Sequence, residues 1–171
     1  MAKIRKIAEG LDRTDLQILD QLQMDGRLAV AELGRRVHLS PTPCLERVRR
    51  LERDGYITGY TARLDEQRLG FDLLAFIEVS LDRTNPDFFE RFKRSVADLD
   101  EVVECHMVAG NFDYLLKVRT ISMADFRRFL VEKLTPISGL QQTHTYFTLE
   151  SVKSRLRVPL AAEPLRRRKR R

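Results

Sequence analysis

The chain has 171 residues and a hydrophobic fraction of 43%, ordinary for a globular protein and too high for a disordered one. Its formal net charge is +6, and the run Arg166–Arg171 carries all of that excess, so any basic surface elsewhere depends on where individual arginines sit. No apolar run approaches the roughly 18 residues of a membrane span, and the first residues lack the apolar core of a secretory signal. Cys44 and Cys105 are too far apart to suggest a disulfide framework or a metal-ligand spacing, so a reducing, cytoplasmic setting is expected.

Residues 1–10 are charged and unpatterned and read as an arm. Asp12 can cap a helix to about Asp25, with Leu16, Leu19 and Leu22 at helical spacing beside Ile18, and Gly26 ends it. A second short helix is expected near Val30–Val37, with Ala31, Leu33, Gly34 and Val37 inward, followed by a turn at His38-Leu39. Ser40 is a suitable N-cap and Pro41 suits the first helical position, so a third helix runs to about Asp54 and stops at Gly55. The β-formers of 56–64, broken by Gly59, predict a small hairpin or wing. Residues 65–72 read as a polar hinge.

From Leu73 the pattern changes. Leu73–Leu81 predicts a strand, Asn85-Pro86 opens an amphipathic helix to about Leu99, and Val102–Ala109 and Phe112–Arg119 predict two strands joined at Gly110-Asn111. Ser122 caps a helix to about Leu134, and Leu140–Leu149 predicts a last strand. The order is β-α-β-β-α-β, a ferredoxin-like arrangement. The expected organisation is an α+β chain: DNA-binding domain at 11–64, second domain at 73–153, and a basic, disordered tail at 154–171.

On a helical wheel, Cys44, Leu45, Val48 and Leu51 gather on one side of the third helix. Thr42, Pro43, Glu46, Arg47, Arg49, Arg50 and Arg53 gather on the other. Arginine pairs bidentately with guanine, and glutamate accepts from cytosine. Residues near the start of a recognition helix meet bases, and later ones meet phosphates. Thr42, Pro43, Glu46 and Arg47 are therefore expected at base edges. Arg49, Arg50, Arg53 and the wing residue Arg63 are expected at phosphates, with Ser40 at the helix start completing the DNA-binding set.

The run Leu39–Glu52 closely resembles the recognition helix of the Lrp/AsnC, or feast/famine, regulators. The resemblance continues through Gly59–Ala62, Glu104-Cys105-His106, Gly110–Lys117 and Thr145-Tyr146, covering about residues 11–153. It implies a winged helix-turn-helix joined to an effector-binding domain (RAM). It also implies dimers that assemble further, often to octamers, on double-stranded DNA in the nucleoid, and an amino-acid effector such as leucine. By position it implies Met107, Gly110, Asp113, Met123, Tyr146, Phe147 and Thr148 as effector-binding residues. The run Arg166–Arg171 departs from the family pattern.

Independently of the resemblance, the sheet of the second domain has a face of mixed character. Leu73, Ala75, Ile77, Val79 and Leu81 must lie under helices, while Leu74, Phe76, Glu78 and Ser80 point the other way. Such a face is usually buried in a partner, here a second copy. In the loop Gly110–Asp113, glycine exposes N–H groups for a carboxylate and Asp113 offers a charge for an ammonium group; Asp113 could equally cap the turn. His38, His106 and His144 form no metal-ligand spacing, and neither a phosphate-binding glycine loop nor a catalytic triad pattern is present. These features predict a ligand-responsive transcription regulator without catalytic activity, metal or cofactor. The alternative is an architectural, DNA-wrapping protein.

Overall fold

The computed structural model describes residues 10–154 and 157–160. Their contacts divide into two compact units: the residues up to Arg63 with those from Ser154 onward, and Leu64–Lys153.

The first unit holds α1 (Arg13–Met24), α2 (Val30–Arg36) and α3 (Pro41–Arg53). Of the apolar positions read from the sequence, Ile18, Leu33, Val37, Cys44, Val48 and Leu51 are buried together, whereas Ala31, expected inward, is exposed. Burying one such Ile or Leu fully is worth about 2 kcal/mol. The α2–α3 turn is tight. His38 adopts a left-handed φ of 57°, and Leu39 N–H donates back to the Gly34 carbonyl at 2.8 Å. This is the closure of a helix end around a left-handed residue, a position usually given to glycine. Gly34 itself cannot be replaced cheaply, because a Cβ there would lie 2.7 Å from the Leu39 carbonyl oxygen.

The expected hairpin at 56–64 does not form. The segment after α3 has no ladder, and Tyr56 and Ile57 direct their N–H groups to the Leu51 carbonyl instead. Its two β-prone runs flank Gly59 and are short, and an isolated two-stranded ribbon is marginal.

The second unit is a four-stranded antiparallel sheet, order β2-β3-β1-β4, of β1 (Leu73–Leu81), β2 (Val102–Met107), β3 (Tyr114–Thr120) and β4 (Leu140–Phe147). The helices α4 (Asp87–Ala97) and α5 (Met123–Arg128) follow β1 and β3, and α5 continues as a π-helical turn, Phe129–Leu134. The core lies on one face: Ala75, Ile77, Val79 and Leu81 of β1 and Tyr114, Leu116 and Val118 of β3 pack with Phe92, Val96, Phe126, Phe129 and Leu134. The opposite face carries Leu74, Phe76, Glu78 and Ser80, all half-buried, as the alternation requires.

One local expectation is corrected. The β2–β3 connection is not a two-residue turn at Gly110-Asn111; the ladder stops at Met107↔Tyr114, and Val108 N–H closes a longer loop onto the Asp113 carbonyl. The pairing of β2 with β3 also shifts between Val102 and Glu104, which puts Cys105 and Met107 opposite the core residues Leu116 and Tyr114. Among the described residues, no helix is long and apolar enough to cross a membrane, and no cluster of metal-ligating side chains occurs.

Candidate nucleic-acid interface and effector site

Ser40 sits at the N-cap of α3 with extended backbone, yet its hydroxyl makes no cap bond. An N-cap oxygen normally accepts from the N–H of the second or third helical residue. The third is Pro43, which has no N–H. The second, Thr42, keeps its N–H, but the hydroxyl of this exposed residue does not engage it.

Along α3 the polar residues separate into two ridges. Thr42, Glu46, Arg49 and Arg53 are exposed, and their spacing of four, three and four aligns them on one face. Among the described residues Glu46 and Arg49 have no ion-pair partner, and Arg53 has only Asp54 at 3.8 Å. Pro43, Arg47 and Arg50 form the neighbouring, half-buried ridge.

Arg47 and Arg50 are turned toward α1. Arg47 Nη1 donates to Asp12 Oδ2 at 2.6 Å and to Asp15 Oδ1 at 2.8 Å. Arg50 Nη2 lies 2.6 Å from Asp15 Oδ2. The Asp15 side chain is only 1% exposed. A buried carboxylate without its counter-charges would cost several kcal/mol, so the two guanidinium groups are held where they are. Asp12 and Asp15 also cap α1 reciprocally, each side chain accepting from the other's backbone N–H. Burial alone would raise the Asp12 pKa; the hydrogen bonds from Asp15 N–H and Arg47 outweigh it and hold the carboxyl below its ordinary value of 3.8. The side-chain hydrogen bonds of Arg47 to Asp12 and Asp15 raise its own pKa.

Arg47 and Arg50, expected at a base edge and at a phosphate, are both ion-paired with acids of α1, and their side chains stay 30% and 39% exposed. The wheel separated apolar from polar residues but could not show that the acid of a preceding helix faces them. The available signal was the pair Asp12 and Asp15, three apart like Arg47 and Arg50. Arg63 is exposed, and its Nη2 lies 3.5 Å from the Ser154 carbonyl.

In the second unit the effector candidates do not converge. Met107 ends β2, and Gly110 lies in the exposed loop after it. Met123 and Phe147 line a surface groove of about 380 Å³ with Ala124, Phe126, Arg127 and Leu130, and Phe147 meets Phe126 edge-on at 4.9 Å. Tyr146 stands on the open face opposite Phe76, and Thr148 N–H donates to Leu74 O at 2.9 Å. Met107 pairs through Tyr114 to Val79, whereas Phe147 pairs with Ala75. The two sets thus occupy diagonally opposite corners of the sheet, about 20 Å apart by strand spacing and rise.

Asp113 is buried, 6% exposed. Its Oδ2 accepts from Leu81 N–H at 2.8 Å and its Oδ1 from Arg83 Nη2 at 2.8 Å. Each oxygen thus has one donor, and Asp113 ties the backbone of Leu81 and the Arg83 side chain together. Gly110 is open: a Cβ there would meet nothing within 4 Å. On the open sheet face Lys117 donates to Glu104 at 2.7 Å, and His106 lies 3.3 Å from the same carboxylate; these hydrogen bonds, Lys117 first, lower the Glu104 pKa.

A tri-helical unit with an exposed polar ridge, and a ferredoxin-like unit with an open face, together define a DNA-binding regulator with a ligand domain. Residues 11–58 match the winged helix-turn-helix DNA-binding family, and residues 74–158 match the Lrp/AsnC ligand binding domain. The leucine-responsive regulatory proteins of Salmonella typhimurium and Escherichia coli are each 50% identical over 154 residues, 90% of this chain and 94% of theirs. Among solved structures, a transcriptional regulator from Neisseria meningitidis in complex with L-Met is similar at TM-score 0.85 and 39% identity, over 88% of this chain and 97% of that one. AsnC from E. coli is similar at TM-score 0.78 and 28% identity, over 85% and 96% of the two chains. The chain belongs to the Lrp/AsnC family of transcription regulators.

Proposed function

We propose that this regulator reads duplex DNA with the exposed ridge of α3 and adjusts its binding or assembly to an amino acid held between copies of the chain. The observation that carries the first half is the ridge Thr42–Glu46–Arg49–Arg53, exposed along α3. Thr42, Pro43 and Glu46 meet base edges from the first turns, and Arg49 can reach either a base or a phosphate. Arg53, Arg63 and the Ser40 hydroxyl contact the backbone. Arg47 and Arg50 serve indirectly, by fixing the rotation of α3 on α1.

The second half rests on the diagonal separation of Met107 and Gly110 from Met123, Tyr146, Phe147 and Thr148. A free amino acid is far shorter than about 20 Å, so one molecule touches both sets only if they come from different copies. The half-apolar open face supplies a further reason for self-association. Two relatives point to amino acids as the ligand class: one is named leucine-responsive, and the other is solved with L-Met. Asp113 then acts through the loop, holding Arg83 and the backbone of Leu81 in place. A thermal-shift screen over the twenty amino acids tests this reading. A ligand binding only the folded protein at a hundred times its Kd adds about 2.7 kcal/mol of stability. At least one amino acid should raise the midpoint; twenty unchanged midpoints would contradict it.

A further inference from the structure

The edge strand β2 is left uncovered on its helix side. It ends the sheet order, and its register with β3 turns Cys105 and Met107 toward the helices, opposite Leu116 and Tyr114. Neither is buried there: Cys105 is exposed, and Met107 is 63% exposed. Between β2 and α4 lies a groove of about 370 Å³ with apolar walls of Val96, Ala97, Val103 and Met107. Pockets that take small molecules begin at about 300 Å³. Tyr114 also lines this groove although it is 2% exposed, and its ring packs on Phe92 at 4.7 Å. The Tyr114 hydroxyl is buried and has no hydrogen-bond partner among the described residues. Burial pushes its pKa above the ordinary 10, so it is an O–H donor at neutral pH. The side chains whose charge it feels most, Lys93 and Cys105, both line the groove, which places the hydroxyl toward it.

Buried polar atoms are nearly always hydrogen-bonded, so this phenol is a donor in want of an acceptor. The charges around the groove decide what kind. Lys93 is 47% exposed, and its ammonium is paired with Glu90 of the same helix, which is itself 66% exposed. An exposed pair of this kind contributes little and exchanges readily. Glu104 also lines the groove, but its carboxylate is bonded to Lys117 at 2.7 Å on the open face of the sheet. Among the lining residues, then, the groups left for a ligand donate or carry positive charge. We propose that the groove between α4 and β2 binds a small apolar carboxylate. Its oxygens take the Tyr114 hydroxyl and the Lys93 ammonium, and its hydrocarbon lies along Val96, Ala97, Val103 and Met107. An ammonium group finds no carboxylate turned into this groove, which sets the ligand apart from the amino acid of the proposed function. The site is built from one copy of the chain, shares only Met107 with the effector candidates and rests on no reading of them.

The test uses sodium hexanoate, with hexanamide and hexylamine as neutral and cationic counterparts of the same length, titrated calorimetrically into the full chain and followed by thermal shift. Hexanoate should bind and raise the midpoint. Hexanamide should bind about tenfold more weakly, and hexylamine should not bind. Tyr114→Phe removes the hydroxyl and keeps the ring against Phe92. It should weaken hexanoate about tenfold or more, because a hydrogen bond to a charged group is lost. Its ligand-free midpoint should hold or rise, because the change orphans no partner. Lys93→Met should weaken hexanoate and narrow its advantage over hexanamide. No binding of hexanoate, or an affinity unchanged in both variants, would overturn the site. A lower ligand-free midpoint in Tyr114→Phe would show that the hydroxyl has a structural partner and would remove the basis of the assignment. Hexylamine binding as well as hexanoate, or leucine binding with the same dependence on Tyr114, would contradict the ligand class. Twenty silent amino acids with hexanoate bound would contradict the proposed function and leave this site standing; an active amino acid with hexanoate silent would do the reverse.

Discussion

Arg47 of the recognition helix donates to Asp15 of the first helix at 2.8 Å, and the acid it meets is buried. The contact, with that of Arg50 to the same acid, braces α3 against α1. Replacing Asp15 by Asn keeps the shape and removes the charge that Arg47 and Arg50 share. Removing one partner of a fully buried pair costs about 3–5 kcal/mol. Here the arginines are partly solvated, 30% and 39% exposed, so the expected loss is about 2 kcal/mol. Urea unfolding measures it. A midpoint equal to that of the wild type would show that the brace contributes nothing.

The division of labour along α3 gives a second expectation. Glu46→Ala should change discrimination at one or two base pairs by about 1–3 kcal/mol. Arg53→Ala should weaken all sequences alike and lower the salt slope by about 0.9. Arg47→Ala should behave differently from both: its main cost is stability, with affinity for specific and random DNA falling together. Competition titrations with matched specific and random duplexes separate the three behaviours.

Asp12 supplies a pH dependence. Its folded carboxyl titrates below the ordinary 3.8. A depressed carboxyl pKa contributes stability that is complete above the unfolded value and lost as pH falls through the folded one. The DNA-binding unit should therefore lose stability below about pH 4. Asp12→Asn should flatten that loss while lowering stability at neutral pH. An acid limb with the same slope in both proteins would rule out this assignment.

Asp113→Ala should destabilise the ligand domain by about 1–3 kcal/mol, because it orphans the Leu81 N–H and frees Arg83. Any loss of effector response should scale with the displacement of the loop rather than with a missing direct contact. Asp113→Asn retains an acceptor for Leu81 N–H and should recover most of the stability. Calorimetric titration of the folded Asp113→Asn variant distinguishes the roles: a direct ammonium ligand would lose at least tenfold in effector affinity, and a loop brace would lose less.

The open sheet face leads to an expectation about assembly. Leu74 and Phe76 are half-buried on it, and Tyr146 beside them is 54% exposed. Sedimentation at micromolar concentration should show no dominant 20.0 kDa species.

Much of this architecture is legible in the sequence, because it follows from periodicity. The alternation in Leu73–Leu81 fixes which residues face the helices, and the stripe Cys44–Val48–Leu51 fixes which side of α3 is buried. The inward place of Gly34 and the turn at His38 are legible too, although the steric need for glycine at 34 appears only once Leu39 folds back against it. What escapes sequence reading is contact between elements. Nothing local tells Arg47 from Arg49, since both are arginines on the polar side of one helix. Only the packing angle of α1 brings Asp15 under one and not the other. The occupancy of Asp113 is similar, because its partners Leu81 and Arg83 are some thirty positions away. The hairpin at 56–64 does not form within the chain for another reason: β-propensity describes a residue that has a ladder to join, and among the described residues of one chain none is offered there. The basic run lies outside the described residues, but part of the stretch expected to be disordered, Arg157–Leu160, is docked on α1.

In the proposed function one unit reads DNA and the other changes that reading in response to an amino acid. The most direct measurement is a binding isotherm on a duplex selected from a random pool, with and without the amino acid that raises the thermal midpoint. The midpoint or the cooperativity of the isotherm should shift with that amino acid. Superimposable isotherms on the selected duplex, at saturating amino acid and at none, would contradict it.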